Sequence, residues 1–467
     1  MDSDSDLERE GEAVMRRKIR TTGSICPVCF RVISASIFEE NGAIYMEKEC
    51  PLHGYFSDIL WSDAELYRRF ESLDVCCDMM HLKAQHCPYM CGLCDYHAST
   101  TVLGVIDVTD RCNMRCHVCF ADSGAGEREE PSISDVKNMI DALADSGAFA
   151  IQFSGGEPTL RDDLPDMIAY ARKRVKHVQV DTNGIRMAES EDFCREMESA
   201  GLSVVYLQFD GVTESPYIKL RGRKMFDVKR RAIENHRKAG ENPAIVLVPT
   251  VVRGVNDGQI GSIIKFAVEN SDIIRGVNFQ PISFCGRKGY DADMRITVSD
   301  VIAAAVNQTG FMRREDFFPP SAMSIMLSTL GGDVGCHHAC GAFSYLFVKE
   351  GGTPKPFTDY VNMNALIDSY KKNGKVGIYA MLRGSLKGSL KILGEALHSY
   401  FKLSELHRKM IFVGAMHFMD AFNFDLARAR RCCIHYALPS GDIVPFCTYN
   451  IIHRRRARNL TPRSEPI

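Results

Sequence analysis

Between Thr101 and Ser283 the chain alternates buried-strand patterns with amphipathic helical ones, and this limits the fold more than any other feature of its 467 residues. The strand patterns are "TVLGVIDVT", "AFAIQFSGG", "HVQVDTNG", "LSVVYLQFDG", "AIVLVPTVV" and "GVNFQPIS". Between the first two lies "SISDVKNMIDALADSG", a helix with Ser132 or Ser134 as its N-cap and Gly147 near its end. Further helical patterns fall at 163–174, 190–200, 226–239 and 258–269. Strands joined through helices pair in parallel, because a crossover must return the chain to the same sheet edge. Six such strands, each with polar residues at its C-terminal end, predict an α/β fold, a partial (β/α)6 barrel of TIM type with its active site at the C-terminal mouth.

Eighteen cysteines accompany this pattern, and they are grouped. They stand at 26/29/50, 76/77/87/91/94, 112/116/119, 336/340 and 432/433/447, while Cys194 and Cys285 stand apart and read as small buried hydrophobes. The charged N-terminus "MDSDSDLEREGEAVMRRKIR" has no apolar signal core. No uninterrupted apolar run approaches the ~20 residues of a spanning helix. The expectation is therefore a cytoplasmic protein, at most peripheral at the inner face of a membrane. In a reducing compartment grouped cysteines mean metal or redox chemistry rather than disulfides. The 57 basic residues nearly balance the 59 acidic ones, and a net charge of -2 argues against nucleic-acid binding by bulk charge.

The third group sits in "DRCNMRCHVCFADSG", where Cys112, Cys116 and Cys119 are spaced C-x3-C-x2-C directly after the first strand. Three thiolates hold three irons of a cubane and leave the fourth open to a ligand that is not protein. The competing reading is a zinc loop completed by His117 or a distant cysteine. The second strand ends in "SGGEP", Ser154 to Pro158. With these motifs the chain resembles the radical S-adenosylmethionine (SAM) superfamily over about residues 101–285. The resemblance implies a catalytic [4Fe–4S] cluster whose open iron chelates SAM, and reductive cleavage of SAM to a 5'-deoxyadenosyl radical. It also implies that Phe120 neighbours the adenine and that Ser154, Gly155, Gly156 and Glu157 receive the methionine ammonium. Thr182 and Asn183, and Gln208 and Asp210, end the next two strands and become candidates for the methionine carboxylate and ribose. "TNG" and "FDG" also read as plain turns. Thr250 and Gln280 have weaker claims of the same kind. No side-chain acid or base is assigned to catalysis beyond the cluster and SAM.

Cys26, Cys29, Cys50 and His53, in "CPVC" and "CPLHG", form two knuckles that predict a mononuclear site, zinc or iron. Cys87, Cys91 and Cys94 repeat the C-x3-C-x2-C spacing, and Cys76 or Cys77 makes a fourth ligand for a closed auxiliary cluster. Cys336 and Cys340, with Cys432 or Cys433 and Cys447, are candidates for a second. The resulting division is a metal module over 1–60, a cysteine-rich segment over 61–100, the barrel over 101–297 and a helical C-terminal region over 298–467. Leu382, Leu386, Leu390, Leu393, Leu397 and Phe401 form one apolar helical face in that last region, with Arg383, Lys387 and Lys391 beside it. It reads as a face packed on the core, or as an interfacial helix at an anionic membrane.

Taken whole, the order of CPxC/CPxHG module, CPxxCxxC segment, barrel and "CIHYALPSGDIVPFCTYN" resembles the archaeal-type tetraether lipid synthases. That resemblance implies coupling of the terminal sp3 methyl carbons of two isoprenoid diether lipids, two SAM cleavages per bond, and an auxiliary cluster that retains the first carbon radical. The insert 355–430 and "MIFVGAMHFMDAFNF" would then wall an apolar tunnel. The implied partners are a lipid substrate and a low-potential donor such as a ferredoxin or flavodoxin. Radical methylation of a reduced pterin is the alternative, followed by a peptide-modifying maturase and an electron-transfer protein with a vestigial barrel.

Overall fold

The computed structural model describes residues 16–75, 87–89, 93–94, 97–124, 130–240, 244–323, 325, 335–348, 352–373 and 410–457. The N-terminal strands β1 (Arg17–Ile25), β2 (Val32–Glu40), β3 (Ala43–Cys50) and β4 (Gly54–Trp61) form an antiparallel meander in that order. The turn between β2 and β3 is made by Asn41 and Gly42, both at positive φ (50° and 75°), a pairing that matches the twist of a tight hairpin. The other two turns carry the cysteine knuckles. Helix α1 (Ala64–Ser72) follows, capped by the Asp63 carboxylate on the Leu66 N–H at 2.9 Å. Its Tyr67 and Phe70 pack edge-on against Trp61.

The six strands expected from the sequence are present as β5 (Leu103–Thr109), β6 (Ala150–Gly155), β7 (His177–Thr182), β8 (Val204–Gln208), β9 (Ile245–Val248) with its short continuation β10 (Thr250–Val251), and β11 (Ile274–Pro281). From β5 to β11 neighbouring strands pair in parallel. The crossovers carry α2 (Ile133–Asp145), α3 (Leu164–Arg174), α4 (Ile185–Glu189), α5 (Glu191–Ser199), α6 (Glu214–Arg221), α7 (Phe226–Ala239) and α8 (Ile260–Glu269). Ser132 is the cap of α2, in a reciprocal box with Asp135. Alternate strand residues such as Ile106, Phe153, Val180, Leu207, Leu247 and Phe279 are buried under these helices in one continuous core. The intervening residues point to the other face, and that face positions the site.

The C-terminal region departs from the expected helical unit. Helices α9 (Val298–Thr309), α10 (Met363–Asn373) and α11 (Leu426–Arg430) are present, yet five strands lie between and after them. These are β12 (Gly341–Phe347), β13 (Lys355–Pro356), β14 (Met410–Met416), β15 (Ile434–Ala437) and β16 (Ile443–Pro445). They extend the parallel sheet at both edges, giving the order β13-β12-β14-β11-β9-β8-β7-β6-β5-β15-β16. β14 runs parallel to β11, and β15 runs parallel to β5. The boundary expected at 297 therefore does not divide the sheet. "MIFVGAM", read as tunnel wall, is strand β14, which lies inside the sheet between β12 and β11. The Leu face from 382 to 401 lies outside the described residues.

A buried ionic key joins three parts of the chain. Arg295 donates to Asp58 of β4 at 2.6 Å and to Asp420, beyond β14, at 2.8 Å, with all three side chains at most 2% exposed. Lys48 of β3 reaches the Ala421 carbonyl at 2.6 Å, and Ser24 of β1 the Phe424 carbonyl at 2.6 Å. The N-terminal meander is thus docked on the C-terminal segment by charges and carbonyls that have no access to water.

Candidate functional site

The cysteine loop leaves β5 at Asp110 and closes on itself through the Gly124 N–H to the Asp110 carbonyl, 2.9 Å. Three neighbours hold it. The Arg287 guanidinium donates to the Cys116 carbonyl at 2.9 Å and to the Asp122 carboxylate at 2.9 Å, and reaches the Ser123 carbonyl. His117 donates its backbone N–H to Leu220 at 2.9 Å and its ring Nδ1 to the Lys219 carbonyl at 3.0 Å. This ties His117 to α6, and among the described residues it joins no group of metal ligands. The loop after β6 supplies the third contact. A Cβ on Gly156 would lie 2.1 Å from the Arg111 carbonyl oxygen, and one on Gly155, at φ +129°, 2.3 Å from that of Thr109. Glycine is required there because two backbones touch, linked by Gly156 N–H to Thr109 and Glu157 N–H to Arg111 at 2.7 and 2.8 Å.

Burial, with Glu157, Cys116 and Cys119 adding negative charge, pushes the Cys112 thiol up to about 12. At such a position the Cys112 thiol needs a nearby positive charge, such as a bound metal, to ionise. Cys112, Cys116 and Cys119 are all part-exposed.

Glu157 does not present its carboxylate to a ligand. One oxygen accepts from the Thr159 N–H and hydroxyl (3.2 and 2.7 Å) and the Thr182 hydroxyl (2.8 Å), and the other from the Asn183 N–H (2.7 Å). The group is a buried knot tying β6 to β7. Asn183 in turn links to the cysteine loop through Asn113 at 2.7 Å. Asp210 is corrected likewise: it is fully buried in a bidentate pair with Arg221 (2.7 and 2.8 Å) and also accepts from the Thr250 N–H and from Gln208. Arg221 also donates to the Thr250 hydroxyl at 2.9 Å. Gln208 and Thr250 are half-buried at the mouth, as are Ser154 and Gln280.

Lys229 was not foreseen. Burial pushes its amine down to about 7, and it donates to the Asn183 carbonyl and to Gln208 Oε1 at 2.7 Å, joining β7 to β8 beneath the site. The signal was present: Lys229 falls on the buried stripe of α7 with Ala232, Ile233 and His236, where a charge is out of place.

The Phe120 ring packs on Phe418 and Phe446 of the C-terminal region, both at 5.7 Å between centroids. Val118 of the cysteine loop is buried with Leu220, Val252, Ile282 and Phe284. Phe120 and Arg287 line a cleft of about 160 Å³ with Cys285, Asn450, Arg454 and Arg455.

The N-terminal knuckles come together. Among the described residues, Cys26, Cys29, Cys50 and His53 form the one group of three or more such ligands whose atoms all lie within 4.8 Å of one another. The separations of 3.5 to 3.9 Å are the edges of a tetrahedron around one ion. At the other end Cys336 and Cys433 share a buried cluster with Cys340. Cys447 accepts from the Met419 N–H at 3.4 Å, shares a buried cluster with Cys285, and is near enough to Cys340 and Cys432 for their charges to interact. Cys285 is therefore not isolated. Cys432 points its thiol at the Ile434 carbonyl, 3.0 Å away. Cys87 is half-buried and Cys94 exposed, while Cys76, Cys77 and Cys91 lie outside the described residues.

Residues 106–267 match the family model of the radical SAM superfamily, and residues 18–62 match that of the HMPTM N-terminal zinc ribbon domain. A 7,8-dihydro-6-hydroxymethylpterin dimethyltransferase of Methanocaldococcus jannaschii is 42% identical over 478 residues, covering 93% of this chain and 94% of that protein. The chain belongs to that protein's family within the radical SAM superfamily. An Fe-coproporphyrin III synthase of Methanosarcina barkeri is 38% identical over 138 residues, 29% of this chain and 34% of its own. SuiB of Streptococcus suis, solved with bound S-adenosylmethionine, covers 42% of this chain and 43% of its own at 18% identity and a TM-score of 0.33.

Radical SAM membership implies a [4Fe–4S] cluster and SAM. The three part-exposed thiols and the glycine pair, where a side chain would meet the facing backbone, fit both. The full-length relative is a pterin methyltransferase by name, where the sequence reading expected a tetraether lipid synthase. No helix among the described residues is long and apolar enough to cross a membrane.

Proposed function

We propose that the protein is a radical SAM methylase acting on a reduced pterin, and that β5 to β11 form a partial barrel around this substrate. The observation that carries the reading is the chemistry of the inner sheet face. Where the outer face is aliphatic, the inner face offers Asp107, Gln152, Ser154, Gln179, Asp181, Tyr206, Gln208 and Asn278. Among them Asp107 Oδ1, Gln152 Oε1 and Gln179 Oε1 have no hydrogen-bond partner, and a saturated isoprenoid chain would leave them so, at about 1–3 kcal/mol apiece. A flat heterocycle with ring N–H, amino and oxo groups would pair them. The full-length relationship to a pterin dimethyltransferase supports the same reading.

The bound cluster and SAM supply a primary carbon radical, the chemistry needed at an unactivated C–H bond. The chain's part is positional. Gly155 and Gly156 let the SAM-side backbone approach the cysteine loop. Glu157, Arg221 and Lys229 lock the ends of β6, β7 and β8, and Arg287 clamps the loop from the far side. A ferredoxin or flavodoxin would serve as reductant.

Cys336, Cys340, Cys433, Cys432 and Cys447 are further proposed as the pool of ligands for an auxiliary cluster. Arg428 Nε, His417 Nδ1 and His338 Nε2 are buried in this region without a hydrogen-bond partner. The N-terminal group is proposed to hold zinc. The test is anaerobic incubation of reconstituted enzyme with SAM, reductant and 7,8-dihydro-6-hydroxymethylpterin in cell extract. Methylated pterin should form, and should vanish when Cys112, Cys116 and Cys119 are all replaced by Ala. Coupled chains from an added diether phospholipid, with pterin untouched, would refute the reading.

A further inference from the structure

Asp181 stands at the centre of the inner face. It lies in register with Tyr206 of β8, and on its other side β6 presents Gln152 and Ser154. Gln152 donates its amide to the Asp181 carboxylate at 2.7 Å. The remaining polar atoms here are unanswered. Gln152 is 9% exposed, and its Oε1 has no hydrogen-bond partner; the same holds for Gln179 Oε1, directly across from Gln152, and for Asp107 Oδ1. Native proteins rarely leave such groups unpaired, and a cluster of them marks the place of something absent.

The carboxylates in this row are not equivalent. Asp107 is neutralised by Arg454 at 2.7 Å. Asp181 has amide and hydroxyl neighbours but no cation paired with it among the described residues. Burial, with Glu157 and Asp107 nearby, pushes its carboxyl up to about 7. A carboxylate accepts up to about four hydrogen bonds, and side-by-side N–H donors are the partners it takes most strongly. The walls beside it are aromatic. Tyr436 and Tyr449 pack at 4.2 Å on the β5 side, and Tyr345 meets Phe412 edge-on at 5.6 Å beyond β11.

We propose that Asp181, flanked by Gln152 and Gln179, is the specificity-determining residue that reads the 2-amino and ring N–H edge of the pterin's pyrimidine ring. The inference rests on the pterin reading above and deepens it. The carboxylate takes the paired N–H donors, and the free amide oxygens of Gln152 and Gln179 take the remaining donor hydrogens. Gly155, Gly156 and the cysteine loop stand further along the same strands, towards the mouth, so the opposite side of the ring faces the radical-generating centre.

The test measures binding to the reconstituted holoenzyme by equilibrium dialysis. One probe is 7,8-dihydro-6-hydroxymethylpterin, and the other is its lumazine counterpart, in which an oxo group replaces the 2-amino group. The wild type should prefer the pterin by about 10- to 100-fold, the worth of a buried charge-assisted hydrogen bond. Asp181→Asn should lose that preference, chiefly through weaker pterin binding, and Gln179→Leu should weaken pterin binding by about 3- to 10-fold. An Asp181→Asn protein that keeps the full preference overturns the inference while leaving the pterin reading intact. Wild-type protein that binds neither probe overturns both. If Asp181→Asn fails to hold its iron, the wild-type ratio and Gln179→Leu decide: equal affinity for the two probes, or an unaffected Gln179→Leu, overturns the inference.

Discussion

His236 is buried on α7 with its Nε2 3.8 Å from Glu198 and its Nδ1 without a partner. Burial pushes its pKa down to about 4. The unfolded chain therefore binds a proton below pH ~6.5 that the folded chain refuses until about pH 4. Stability supplied by the neutral ring is complete above that window and is lost as the pH falls through it. Between pH 6.5 and 5 this amounts to about 2 kcal/mol. In anaerobic unfolding titrations, His236→Phe should lose less stability than wild type over that interval by about this amount; parallel pH profiles would contradict it. Single residues were unevenly legible. The cysteine triplet and the glycine pair could be read because their chemistry depends on spacing and on the lack of a side chain. The partners of Glu157 and Asp210 could not, because they come from 25 residues away (Thr182) and 11 residues away (Arg221) and meet only once the strands align. A carboxylate at a strand end looks the same in sequence whether it faces a ligand or a buried arginine.

Among elements, the contact between the loop after β6 and the cysteine loop is the tightest in the site. Gly156→Ala would set a methyl group 2.1 Å from a backbone oxygen that has no rotamer to move into. The cysteine loop must shift instead, carrying Cys112 with it. The variant should purify with its N-terminal zinc in place but with less iron, and should form little 5'-deoxyadenosine. Wild-type iron and turnover would show that the two loops separate freely. The six parallel strands were legible because each is a short apolar run closed by turn residues, with a helix of matching amphipathicity after it. β12 to β16 were not. β14 is seven residues of Met, Ile, Phe, Val, Gly and Ala, a composition shared by buried helix and strand. Its strand character comes from the open edge of β11, which local pattern does not reveal.

At the scale of the molecule, the Arg295 key decides whether the parts stay docked. Asp420→Ala would leave the buried guanidinium with Asp58 alone, and removing one member of a buried ionic set costs about 3–5 kcal/mol. The urea midpoint should fall accordingly, and the N-terminal meander should become a site of proteolysis; an unchanged midpoint would mean that water replaces Asp420. The same architecture orders the protein's birth on the ribosome. The N-terminal knuckles, within residues 18–62, are made before the parallel strands. Of those strands the two outer ones, β5 and β11, present bare hydrogen-bonding edges until β14 and β15 are made. Those partners lie at Met410 and beyond, and so do Asp420, Ala421 and Phe424, onto which the meander docks. For most of synthesis the chain therefore carries unpaired edges and an undocked module, the states most prone to aggregate. Ribosome-stalled chains ending before Met410 should engage chaperones, and release should depend on the final stretch. Truncation from the C-terminus is accordingly a far harsher lesion for this fold than its distance from the cysteine loop suggests.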